Sequence, residues 1–93
     1  MSIFKGQTLL TITLDCGQDI STATTLLIHF VKPLTLTAGS WTAVQSGTNS
    51  IEFVVVDGTD LDESGTWQVQ SHVVIGGKIA KGKIATFEVL DPV

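Results

Sequence analysis

Glu63-Ser64-Gly65-Thr66-Trp67-Gln68-Val69 decides how this chain folds. A glycine closes a polar stretch, an aromatic follows two places later, and an apolar residue stands two places after that. Continued to Ile75 the period stays at two: Trp67, Val69, Ser71, Val73 and Ile75 share one face, Gln68, Gln70, His72 and Val74 the other. That alternation belongs to a half-buried strand. An inward row of this length predicts a central strand, with the other segments packed around it.

Outward from that strand, the chain reads as further strands joined by turn chemistry. Residues 8–15 alternate, with Leu10, Ile12 and Leu14 on one face and Thr11 and Thr13 on the other. After a Cys16-Gly17-Gln18-Asp19 turn, Ile20 is expected to anchor the crossing to residues 24–32. There Leu26, Ile28 and Phe30 oppose Leu27, His29 and Val31, and Pro33 ends the ladder because it has no N–H to give. A weaker pattern predicts one short strand around Trp41 to Val44. Residues 50–56 put Ile51, Phe53 and Val55 inward and Glu52, Val54 and Val56 outward, ahead of an acidic loop at 57–65. Gly76-Gly77 supplies the positive-φ pair of a tight hairpin, and residues 84–90 put Ala85, Phe87 and Val89 inward. Residues 1–7 are read as a leading segment able to form an edge strand. The sum is an all-β fold, a single antiparallel two-sheet β-sandwich domain of six or seven strands over residues 1–93. Its expected core is Leu10, Ile12, Leu14, Ile28, Phe30, Phe53, Trp67, Val69 and Phe87.

Ninety-three residues suit one small sandwich. A single cysteine, Cys16, excludes an internal disulfide, so packing and ladders must hold the fold. The formal charge of −4 and the absence of arginine argue against nucleic-acid binding, which relies on cations neutralising phosphates. Lys78, Lys81 and Lys83 read instead as charges guarding a strand edge. No apolar run reaches signal-peptide or membrane-spanning length, so a soluble, unprocessed chain without membrane contact is expected. With 43% hydrophobic and only 15% charged residues, the surface is expected to be rich in Thr and Ser and partly apolar, which favours a protein that works within an assembly.

Two resemblances add to this reading. Glu63, Gly65 and Trp67 resemble, in order, the corner that begins the penultimate strand of immunoglobulin-like domains. Trp67 stands where those domains usually carry tyrosine, so the corner's phenol hydrogen bond is expected to be missing, and Val69 stands where antibody domains carry cysteine. Phe4-Lys5-Gly6-Gln7, Ile28-His29-Phe30-Val31-Lys32-Pro33 and Ser64-Gly65-Thr66-Trp67-Gln68-Val69-Gln70 resemble the opening, the Lys-Pro corner and the Gly-x-Trp-x-x-Gln strand of the phage baseplate upper protein N-terminal domain family and related small phage structural proteins. The resemblance implies an immunoglobulin-like sandwich made in the bacterial host cytoplasm and carried in the virion, as a tail or baseplate component packed against other virion proteins or its own copies. A capsid decoration protein of the same fold is the alternative. An adhesion or carbohydrate-binding module is a third reading, and with Trp67 inward only Trp41 could serve as its exposed aromatic.

No residues form a catalytic set, so no enzyme activity, cofactor or metal is expected. His29 and His72 fall on outward faces of strands expected to neighbour each other, but two imidazoles without a third ligand make a poor zinc site. Asp57, Asp60, Asp62 and Glu63 lack the ligand order of a calcium loop and read as a solvated acidic loop. Cys16 lacks a basic or histidine partner in sequence and reads as a structural thiol. The feature left over is apolar: Leu27, Val31 and Val74 lie on a face that should be wet. With His29 and His72 at their centre they are the expected interface, while Val54 and Val56 are expected on the other sheet.

Overall fold

Residues 3–92, which the computed structural model describes, contain no helix and form nine strands. These are β1 (Ile3–Phe4), β2 (Leu10–Asp15), β3 (Thr25–Val31), β4 (Ala38–Thr42), β5 (Val44–Gln45), β6 (Ser50–Val55), β7 (Gly65–Ile75), β8 (Lys78–Lys81) and β9 (Ala85–Leu90). One sheet of six strands runs β1-β9-β7-β3-β4 with β8 also on β7, and a second of three runs β2-β6-β5. The expected all-β, two-sheet architecture is therefore present. It is not purely antiparallel: β1 pairs with β9 in parallel, Ile3 beside Val89. The first residues thus join the larger sheet before the chain crosses to β2.

The strand count exceeds six or seven for two physical reasons. The stretch around Trp41 to Val44 is not one strand but two on different sheets: β4 pairs with β3 and β5 with β6. Ala43 is the switch point, buried, with its N–H bonded to the Leu26 carbonyl. An additional strand, β8, also precedes the expected last strand, which is β9. The register runs from Ile75↔Lys78 to His72↔Lys81, then resumes at Val69↔Ala85, three steps along β7 against four along its partner. One extra residue is therefore accommodated opposite Ser71, a β-bulge. Gly82 sits at that point, its N–H reaching both the Ser71 carbonyl and hydroxyl at 3.2 and 3.1 Å. A side chain at position 82 would run into the Ser71 hydroxyl.

β7 is the axis of the larger sheet, paired with β3, β8 and β9. Its inward row is buried from Trp67 through Val73, including the polar Ser71. Gly76 and Gly77, at φ of 57° and 78°, turn β7 into β8 by the expected two-residue hairpin.

The core forms where the inward rows meet. Leu10, Ile12, Leu14, Ile28, Trp67 and Val69 are buried as expected. Phe30, Phe53 and Phe87 are half-buried and pack against the cluster from its margins. Ala85, expected inward, is exposed beside the open seam described below. Ile20 anchors its crossing as expected, and Leu61, which lies in the acidic loop, adds a buried residue that no strand pattern signals. Stacked rings span the interior: Trp67 against Phe87 and Trp41 at 6.0 Å between centroids, and Trp41 against Phe53 at 4.9 Å. Phe30 leans on both tryptophans. Such pairs add about 0.5–1.5 kcal/mol each beyond the area they bury.

Candidate functional site

The outward face of β3 and β7 carries the residues singled out in the sequence. Antiparallel pairing sets Leu27 opposite His72, His29 opposite Gln70 and Thr25 opposite Val74. This brings Leu27, His29, Val31, His72 and Val74 onto one surface, each half-buried. On β8, Ile79 stands opposite Val74 and Lys81 opposite His72. Ile79 and Ile84 are 62% and 64% exposed, extending the apolar area beyond the residues the alternation picks out. Ile79 lies on β8, a strand the sequence pattern did not signal, and Ile84 precedes β9 on the outward side of its alternation. A hollow of about 210 Å³ lies between β3, β4 and β7, its rim including His29, Val31, Gln68, Gln70 and Ile84.

His29 and His72 do meet, diagonally across the ladder, with ring centroids 4.4 Å apart and planes 11° from parallel. Stacked imidazoles direct their nitrogen lone pairs side by side rather than toward a common point, so the pair does not form a chelate. Among the described residues no group of three His, Cys, Asp or Glu side chains could hold a metal ion. Burial first, then His72, then Lys81 hold the His29 imidazole below its ordinary pKa of 6.5. The Nδ1 atom of His72 is buried without a hydrogen-bond partner. Protonating His29 would add a cation next to the His72 imidazole and near the Lys81 ammonium.

The acidic residues of the 57–65 loop do separate jobs instead of converging. Asp57 accepts hydrogen bonds from the Thr59 N–H and hydroxyl, closing an Asx turn. Asp62 pairs with Lys32 at 2.9 Å. Glu63 accepts from the N–H groups of Leu34 and Thr35 and from the Thr35 hydroxyl, clamping the turn after Pro33 that contains Leu36 at a φ of 56°. Above this clamp, the Trp67 indole N–H donates to the Glu63 carbonyl at 2.9 Å. No phenol is present, as expected, but the indole N–H of Trp67 ties the start of β7 back to the acidic loop.

Trp41 is only 7% exposed, which removes the one aromatic available to a carbohydrate platform. Cys16 is buried too. Burial pushes its thiol pKa up, a hydrogen bond with Ser71 pulls it down and Asp15 raises it, with burial the largest effect. That is the environment of a structural thiol, since nucleophilic cysteines need the thiolate favoured. Among the described residues, no helix is long and apolar enough to cross a membrane.

Comparison with known proteins finds no family model that matches the chain, no curated protein similar to it and no solved structure that matches it.

Proposed function

We propose that this chain is a non-enzymatic, immunoglobulin-like structural module of a phage or prophage virion, in the tail or baseplate, that works by packing against neighbouring subunits. The face of the larger sheet around His29 and His72 carries this reading. It is broad and poor in charge, with Leu27, Val31, Val74, Ile79 and Ile84 where the exposed side of a sheet in a monomer is usually polar. The occupant in this reading is another virion subunit, a second copy included.

The immunoglobulin-like part is supported by strand order. β2-β6-β5 follows the order of strands B, E and D, β9-β7-β3 that of G, F and C, and β4 extends the second sheet as C′ does in variable-type domains. The Glu63–Trp67 tether sits at the start of the strand equivalent to F. β1, on β9 rather than β2, departs from the constant-type pattern. A capsid decoration protein of this fold would use the same face.

Mass spectrometry of purified particles from a host carrying the gene tests the proposal. Recovery of the chain at stoichiometric level supports it, and fractionation of tails from capsids separates baseplate from decoration roles. Absence from particles sinks both.

A further inference from the structure

The sandwich is open along one side. Among the described residues β2 pairs only with β6, which leaves its other edge without a strand. The Cys16 N–H bonds the Asn49 carbonyl, which fixes the phase of that ladder. In an antiparallel pair successive residues alternate in direction, so Leu10, Ile12 and Leu14 turn their main-chain groups toward β6. Thr11 and Thr13 turn theirs to the open side, while the Asp15 carbonyl packs against Gly82. Across the seam, β9 meets β1 at Val89 and Leu90, and among the described residues no strand lies on that side of Ala85 and Thr86. Between the two edges run hollows of about 680 and 220 Å³, which share Thr13, Leu14 and Ala85 as walls. Leu10, Ile12, Val69 and Phe87 line one end. The other end carries Lys81 and Lys83 against the single carboxylate of Asp15, an excess of positive charge in a chain of net −4.

We propose that this seam accepts an extended strand of a partner protein. The strand lies antiparallel to β2, with apolar side chains at alternate positions entering between the sheets and a carboxylate at its N-terminal end beside Lys81 and Lys83. Each part follows from the geometry. Outward N–H and C=O groups on Thr11 and Thr13 template a strand, as in β-augmentation, and antiparallel ladders are the more stable. β2 runs toward the two lysines, so an antiparallel partner begins there. The edge carries none of the usual guards: residues 11–15 hold no proline, lysine or bulge. The Asp15 carboxylate is turned locally onto the Gly17 N–H. A second copy's β2 fits less well, because its Leu10, Ile12 and Leu14 already face its own core. It would leave the hollows empty and the lysines without a counter-charge.

The test uses the full chain and two synthetic peptides, each of alternating valine and threonine, one headed by two aspartates and the other by two lysines. The acidic peptide should slow amide hydrogen exchange at Thr11 and Thr13. It should bind on the order of tenfold more tightly than the basic one at low salt, the scale of a few rim charge pairs. Changing the exposed Lys81 and Lys83 to alanine should leave the melt unchanged and shrink that preference to about threefold or less. Joined to the N-terminus of the full chain by a flexible linker, which gives millimolar effective concentration, the acidic peptide should raise the melting temperature. No exchange protection together with no rise in melting temperature overturns the proposal, as does equal binding of the two peptides. Protection that appears in the protein alone and grows with its concentration assigns the edge to a second copy and also overturns it.

Discussion

Replacing Trp67 with alanine removes a fully enclosed indole that touches the rings of Trp41, Phe30 and Phe87, and such core truncations cost about 3–5 kcal/mol. In a small domain that is a large share of total stability, so a thermal melt should show the variant largely unfolded. Trp67→Phe keeps most of the packing but leaves the Glu63 carbonyl without its donor, and a milder loss of about 1 kcal/mol is expected. A Trp67→Phe variant that melts with the wild type would remove the tether from the account. Glu63 gives a test by pH. The Thr35 hydroxyl first, then the N–H groups of Thr35 and Leu34 and the charge of Lys32, hold its carboxyl below the ordinary 4.5 against a smaller opposing effect of desolvation. A depressed carboxylate stabilises the fold above the unfolded-state pKa, and that contribution fades as pH falls through the folded-state value. Glu63→Gln should therefore flatten the acid limb of stability below about pH 4.5, and an unchanged acid limb would count against the clamp.

Among the elements, strands with a strict period of two were legible from sequence and those shaped by backbone exceptions were not. β2, β3, β6 and β7 lie within a residue or two of expectation because one side of each must face the core. Leu9, at a φ of 59° and exposed, shifts the start of β2 without any glycine to announce it. The split at Ala43 is invisible because the alternation passes through it unbroken while the sheet changes. The bulge at Gly82 hides in Lys81-Gly82-Lys83, where the lysines suggest an edge hairpin and the glycine reads as a turn. The candidate face was legible through β3 and β7, whose pairing brings the two histidines together, but its extension to Ile79 and Ile84 depends on where the bulge sets β8 and β9. Gly82→Ala tests that element. The added methyl meets the Ser71 hydroxyl in a buried position, so β8 must shift or Ser71 must lose its partner. A destabilisation of about 1–3 kcal/mol is expected, the scale of overpacking. Gly77→Ala, with open space around the added methyl, should cost only its positive-φ strain, about 1–2 kcal/mol. Chemical denaturation ranks the two, and no loss for Gly82→Ala would mean the bulge is not held by this contact.

For the whole molecule, the apolar rows on the outer face of the larger sheet and the stacked histidines bear on one behaviour, association. Val31 and Val74 are half-buried on that face and outside the core cluster. Changing both to lysine should leave the melt nearly unchanged while light scattering shows a larger species converted to monomer; a wild-type chain that stays monomeric at high concentration leaves the proposed face unused. If the face does dock, His29 and His72 lose their remaining water. Their shared surface already disfavours a charged imidazole at His29, and closing it with a partner strengthens that preference. Folding alone carries part of the effect: with its folded-state pKa below the ordinary 6.5, His29 is protonated first in the unfolded chain, so stability declines as pH drops below about 6.5 and levels off beneath the folded-state value. Docking adds a second decline with the same sign, because the free face takes up the proton more readily than the docked one. The association constant measured by light scattering should therefore be level from about pH 7.5 to about 6.5 and fall as pH drops further, and His29→Gln should remove most of that fall while still permitting assembly at about pH 7.5. Association that holds constant across this range in the wild type would show that the histidine pair lies outside the contact.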